Sequence, residues 1–90
     1  MPRRKEPGVN NSLKPLILEV VNNQIRSNEP PETRQTFERL QTEGFTKEEA
    51  KELIAAVVAS ELYDVMKEQQ PFNRDRFVAA LNRLPKLPWE

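Results

Sequence analysis

Three glutamates are the side chains of this sequence best suited to chemistry, and all three fall within one predicted helix. Glu48 and Glu52 are four residues apart, so both carboxylates lie on one helix face and could form half of a divalent-cation site. Glu61 falls on the apolar stripe of that helix, where a carboxylate could act as a further metal ligand or as a general acid or base with a raised pKa. A carboxylate-based cation or small-ligand site is therefore one alternative function.

A structural role explains the same glutamates without a ligand. An acidic first turn is stabilised by the helix dipole, which accounts for Glu48 and Glu52 as an exposed cluster. A buried Glu61 needs a counter-charge, and the candidates are Arg34, Arg39 and Arg76. We favour this structural interpretation because no second catalytic group can be identified in the sequence.

The 90-residue chain contains no histidine and no cysteine. These two residues supply most general bases near neutral pH, the thiol nucleophiles and most transition-metal ligands. The groups that remain for catalysis or metal binding are carboxylates, lysines, hydroxyls and Tyr63. We therefore expect a protein that is not an enzyme and has no cofactor.

The charge balance argues against a nucleic-acid-binding protein. Lysine and arginine together number 14, and so do aspartate and glutamate, so there is no basic surplus to attract phosphates. Weak accessory binding stays open as a further alternative, through the N-terminal tail and four arginines: Arg26, Arg74, Arg76 and Arg83. No apolar run is long enough to cross a bilayer, and no secretory signal is recognisable, so we expect no membrane association and a cytoplasmic location.

Capping residues and prolines divide the chain into four predicted helices. The first begins near Ser12, carries Pro15 in its first turn and ends at Ser27 and Asn28. The second begins at Pro31, with Phe37 and Leu40 as its main core contacts, and ends before Gly44. The third is capped by Thr46 and runs to about Glu68, and the fourth lies between the N-cap Asn73 and Pro85.

The third predicted helix has the clearest start signal and the widest apolar surface. Thr46 and Glu49 match a capping box. Apolar residues then cover most sides of the helix, and Leu62 and Met66 extend that surface beyond the main stripe. A helix that is apolar on most sides is central to its fold. The sequence therefore predicts an all-α, compact, four-helix bundle-like domain with the third helix in the middle.

The ends of the chain are predicted to lie outside this domain. Residues 1–10 are polar and contain Pro2, Pro7 and Gly8, which is typical of a disordered tail. Residues 11–84 form the single helical domain. Residues 85–90 follow as an extended tail that contains Trp89, and we expect this side chain either to dock on the core or to anchor a partner.

The leading functional hypothesis is a noncatalytic protein-interaction or self-association domain. It predicts an exposed apolar patch that exceeds the usual scatter on a monomer. The candidate side chains are Leu18, Tyr63, Met66 and Trp89. The partner would be another protein or a second copy of this chain.

The order and spacing of several short motifs resemble a family of small bacterial helical domains of unknown function. The resemblance covers about residues 10–84, and its motifs are Gln24, Asn28-Glu29-Pro30-Pro31, Arg34, Leu40, Gly44, Glu49-Ala50, Glu61-Leu62-Tyr63 and Phe72 to Phe77. Members of that family tend to carry two His-x-x-x-His pairs, a spacing that suits a metal ion. The resemblance therefore implies a helical fold and, for typical members, an imidazole metal site.

This chain lacks every one of those histidines. The two family pairs would fall at Lys14 and Leu18 and at Glu48 and Glu52. An imidazole site is therefore not expected here. We hypothesise that an ion pair replaces the metal bridge, in which case the Lys14 amine should lie close to Glu48 or Glu52.

Overall fold

The computed structural model describes residues 13–90, and its first helix, α1, spans Lys14–Ser27. Pro15 lies in the first turn, where its missing N–H leaves no donor unpaired. Leu13 occupies the N-cap position, so α1 begins slightly later than predicted, and Ser12 lies outside the described residues. Asn28 ends the helix in the left-handed conformation, with φ 57°.

Helix α2 spans Pro31–Thr42 and ends in a Schellman motif. The N–H of Phe45 donates to the Leu40 carbonyl at 3.0 Å, and the N–H of Gly44 donates to the Gln41 carbonyl at 3.0 Å. Gly44 has a φ of 107°, which a residue with a Cβ adopts only with strain. The predicted end of the second helix at Gly44 is therefore found in the structure.

Helix α3 spans Lys47–Glu68 and starts with the predicted capping box. The N–H of Glu49 donates to the Thr46 hydroxyl at 3.0 Å, and the N–H of Thr46 donates to the Glu49 carboxylate at 2.9 Å. These two bonds satisfy backbone donors that the helix itself leaves free. At its other end, α3 stops at Gln69, which is left-handed with φ 54°.

Helix α4 spans Arg74–Arg83 and is capped by Asn73, whose side chain accepts from the N–H of Arg76 at 2.9 Å. The rings of Phe72 and Phe77 pack with their centroids 5.6 Å apart and form a hydrophobic staple across the helix start. The residues after Arg83 form turns rather than a straight segment: the N–H of Lys86 donates to the Arg83 carbonyl at 2.9 Å.

The predicted all-α fold with a central third helix is confirmed. Among residues 13–90 there are four helices and no strand, and α3 packs against each of the other three. The radius of gyration is 12.6 Å, close to the value of about 13 Å for a compact domain of this size. Within these residues, no helix has both the length and the hydropathy to cross a bilayer. The buried apolar side chains are Ile17, Val21, Leu40, Ala50, Ile54, Ala55, Val57, Val58, Ala59, Phe77, Leu81 and Leu84.

The core differs from the sequence-based expectation on α2. Leu40 is fully buried as predicted, but Phe37 is only partly buried, and two threonines, Thr33 and Thr36, take the inner positions. The Thr33 hydroxyl donates to the Gln24 side chain at 2.9 Å. This bond between α2 and α1 explains how a polar side chain is accommodated there.

Candidate interaction surface

Glu61 is buried and paired, as the structural interpretation predicts, and its partner is Arg76. The Arg76 guanidinium donates to both carboxylate oxygens of Glu61, at 2.9 and 3.0 Å. The backbone N–H of Asn73 donates to the same carboxylate at 3.1 Å. One side chain of α3 therefore fixes the first turn of α4 and the cap residue before it.

This pairing keeps Glu61 ionised. Burial raises the pKa of the carboxyl group, but the hydrogen bonds from Arg76 and Asn73 and the positive charge of Arg76 outweigh that effect, so the pKa lies below its ordinary value. A general acid at neutral pH needs the opposite shift. The geometry and the direction of the shift both describe a structural ion pair.

The structure does not bring the three candidate glutamates together. Glu61 faces Arg76, whereas Glu48 and Glu52 are exposed at the start of α3. Among residues 13–90, no group of three acidic side chains could hold a metal ion. The first turns of α3 therefore present carboxylates to solvent without a converging third ligand.

The predicted contact between Lys14 and the start of α3 is present. The Lys14 ammonium lies 3.3 Å from the Glu52 carboxylate, and both side chains are about half exposed. The pair links the first turn of α1 to α3. This is the position at which the family resemblance would place two histidine pairs.

The four arginines considered for nucleic acid are engaged to different degrees. Arg76 is held by Glu61, and Arg74 donates to Glu32 at 3.1 Å. Arg26 donates to the Asn23 side chain at 3.1 Å. Three of the four arginines therefore contact other side chains of the protein. For Arg74 and Arg76 the contacted groups are carboxylates, and a paired carboxylate weakens the attraction of an arginine for phosphate.

One apolar stripe of α3 passes from the core into solvent. Ala55, Ala59, Leu62 and Met66 follow one another at intervals of four, three and four residues, so they lie on the same side of the helix. Ala59 is 2% exposed, whereas Leu62 is 46% exposed and Met66 is 77% exposed. The other helices therefore cover the stripe up to Ala59 and leave its last two residues open.

Tyr63 widens this open end of α3. It lies three residues before Met66, which places it beside Met66 on the helix surface. The Lys67 ammonium lies 5.6 Å from the centre of its ring. We call Leu62, Tyr63 and Met66 the α3-end surface.

The link from α3 to α4 adds an aromatic side chain and a shallow cavity. Phe72 is 57% exposed although one side of its ring packs on Phe77. A cavity of about 370 Å³ opens along residues 70–76 and Glu68. Its lining is mostly polar, with Arg74 and Asp75 of opposite charge, so it has no single preference for a cation or an anion.

Two of the predicted interaction residues are not freely exposed. Leu18 is partly buried against the core. Trp89 is also partly buried, and its indole N–H is enclosed without an acceptor among the described residues. Leu87, two residues earlier, packs against the core as well. The C-terminal segment therefore docks on the domain, and Tyr63 and Met66 are the two predicted residues that remain accessible.

Arg39 has a structural role that the sequence does not reveal. Its guanidinium donates to the carbonyl oxygens of Leu81 and Leu84, both at 3.0 Å, and to Glu43 at 2.9 Å. These bonds hold two carbonyls at the end of α4 from a neighbouring helix, and the Leu81 carbonyl also accepts from the N–H of Leu84. No spacing rule connects residues more than 40 positions apart, so only the fold reveals this contact.

Comparison with known proteins gives no match: no protein-family model, no curated protein and no solved structure is significantly similar to this chain. The resemblance to small bacterial helical domains therefore stays a prediction based on the motifs of the chain. Function has to be inferred from the exposed side chains described above.

Proposed function

We propose that this chain is a noncatalytic protein-interaction domain that binds through the α3-end surface. The observation that carries the proposal is the exposure of Leu62 and Met66 on the stripe that is buried at Ala59. A long helix with an apolar side left open offers a partner a preformed, rigid binding element. A bacterial, cytoplasmic setting is part of the same proposal.

The chemistry of the acidic residues supports a binding role over a catalytic one. Glu61 is buried and already accepts three hydrogen bonds within the domain. Glu52 is paired with Lys14, and the acids do not converge among the described residues. Apolar contact is therefore the interaction for which the surface is best suited.

Site-specific photo-crosslinking in cells tests the proposal. A photoreactive amino acid at position 66 should give a defined adduct, because Met66 is the most exposed apolar side chain of the surface. The same amino acid at position 38 is the matched control, since Glu38 is exposed on α2. Equal or absent adducts at the two positions would contradict a binding role for the α3-end surface. The mass of the adduct identifies the partner as a second copy or as another protein.

A further inference from the structure

Met66 is the one sulfur-containing side chain of the helical domain. The chain has two methionines and no cysteine, and the other methionine is Met1. Met66 lies near the end of α3, where it is 77% exposed. An oxidant that reacts with sulfur therefore has a single target between residues 2 and 90, and this target belongs to the α3-end surface.

We propose that Met66 is a redox-sensitive site that controls binding at the α3-end surface, with hydrogen peroxide as the oxidant. This inference rests on the proposed function and names the regulation of the same surface. A lone pair of the Met66 sulfur attacks one peroxide oxygen, so an S–O bond forms and the O–O bond breaks. The sulfur is oxidised by two electrons to the sulfoxide, and the second oxygen leaves as water with the proton of the first.

The added oxygen changes the polarity of the surface. A thioether is apolar and polarisable and packs well on apolar and aromatic groups, whereas a sulfoxide is polar. A partner that covers the oxidised side chain has to remove water from the sulfoxide oxygen, which is unfavourable unless the partner supplies a hydrogen bond. Oxidation of Met66 should therefore release a partner that binds by apolar contact.

The exposure of Met66 separates this effect from damage to the fold. The buried part of the stripe reaches Ala59, and the hydrophobic core does not include Met66. Solvent can therefore accommodate the extra oxygen without any change in the packing of the helices. Methionine sulfoxide reductases, one for each sulfoxide epimer, reverse the reaction, so the modification can act as a switch.

The rate at which hydrogen peroxide oxidises Met66 tests the accessibility of the sulfur. Peptide mass spectrometry of the full chain follows the gain of about 16 Da on the Met66 peptide, in buffer and in urea. The two rates should agree within about threefold, because the folded chain leaves this side chain open. A native rate more than about tenfold lower would overturn the proposal, since the folded chain would then cover the sulfur.

Photo-crosslinking in cell extract tests the effect on binding. A photoreactive phenylalanine at position 63 replaces another aromatic residue and leaves Met66 in place. The purified chain is oxidised and freed of peroxide before it meets the extract, so other proteins are not oxidised. The yield of adduct should fall about tenfold, and treatment of the oxidised chain with the two reductases should restore it.

The matched control is Met66→Leu, which has no thioether at this position. Its adduct yield is compared before and after the same peroxide treatment, and the ratio should stay close to one. In the parent, the loss of adduct should follow the fraction of Met66 sulfoxide and not that of Met1 sulfoxide. The melting temperature of the oxidised parent should match that of the reduced parent, because the fold does not depend on Met66.

The outcomes distinguish this inference from the proposed function. An adduct that persists after complete oxidation of Met66 overturns the redox role and leaves the interaction function standing. The same conclusion follows if Met66→Leu loses its adduct as the parent does, or if oxidation lowers the melting temperature and thereby unfolds the surface. If the reduced chain gives no adduct at position 63 or 66, the interaction function fails and the redox role fails with it.

Discussion

Glu61 shows how a single buried side chain can determine the join between two helices. Its carboxylate receives the Arg76 guanidinium and the backbone N–H of Asn73. Asn73 in turn caps α4. Removing the charge therefore affects the ion pair and the start of the helix together, because the Arg76 guanidinium and the Asn73 N–H share one acceptor.

Glu61→Gln should lower the free energy of unfolding by about 1–3 kcal/mol, which is typical for the loss of a buried charged hydrogen-bond acceptor. The amide oxygen can keep one of the three bonds, so the domain should still fold. Asp64→Asn is the matched control, since its carboxylate is 4.0 Å from Arg76 and more exposed. Chemical denaturation measures both. Equal stability of the two variants would show that the pair contributes nothing specific.

The same pair predicts how stability depends on pH. The pKa of Glu61 is lower in the folded chain than its ordinary value, so its contribution is complete above the unfolded pKa of about 4.3 and is lost as the pH falls through the lower folded value. The difference in melting temperature between the parent and Glu61→Gln should therefore be constant near neutral pH and shrink below about pH 4. A difference that grows towards acid would mean that the folded pKa is raised.

The boundary between α2 and α3 depends on local chemistry that can be checked by substitution. Thr46→Ala removes the hydroxyl that accepts from Glu49 and should cost about 1 kcal/mol. Thr42→Ala is the control, because the Thr42 hydroxyl donates to the Glu38 carbonyl within an exposed helix end and caps nothing. Thermal melts of the two variants should separate them. An equal loss of stability in Thr42→Ala would indicate that replacing any threonine between α2 and α3 has this effect, whether or not it caps a helix.

Signals of this kind explain which parts of the fold the sequence predicts. The capping box at Thr46, the cap at Asn73 and the turn at Gly44 depend on residues a few positions apart, and all three are present. The identity of the Glu61 partner depended on how α4 lies against α3, so three arginines remained possible until the fold was known. Local rules therefore predicted the elements, and tertiary geometry decided their contacts.

Burial was harder to predict because it depends on what lies opposite each residue. Phe37 is more apolar than Thr33 and Thr36, yet the two threonines are buried and Phe37 is only partly buried. Met66 has the right spacing for the apolar stripe, but no helix reaches it. The apolar pattern of α3 thus correctly predicted a core helix. It could not show at which residue the other helices stop burying the apolar stripe.

Helix α4 covers one side of the last turns of α3. Arg76 of α4 lies 2.9 Å from the Glu61 carboxylate and 4.0 Å from the Asp64 carboxylate. Leu62 and Met66 lie on a different side of α3 from these two acids and are exposed. The packing of α4 therefore leaves the α3-end surface open.

The C-terminal segment packs on the domain, and this contact includes one unfavourable feature. Leu87 packs on the core, and the turn that follows is held by bonds between Leu87 and Glu90, in which the N–H of each residue donates to an oxygen of the other. Trp89 brings apolar area to this contact, but its enclosed N–H has no acceptor among residues 13–90. An unpaired buried donor costs about 1–3 kcal/mol, so the ring and its N–H have opposing effects on stability.

Substitution of Trp89 should separate these two effects. Trp89→Phe keeps an aromatic ring and removes the unpaired donor, so it should match or exceed the stability of the parent, whereas Trp89→Ala should lose about 2 kcal/mol of apolar contact. Trp89 is the single tryptophan of the chain, so its fluorescence reports docking directly in the parent. Its emission should lie at a shorter wavelength in the native state than in denaturant, and acrylamide should quench it weakly. Strong native quenching, together with an unchanged melting temperature for Trp89→Ala, would mean that the segment is undocked in solution and that Trp89 is free to meet a partner.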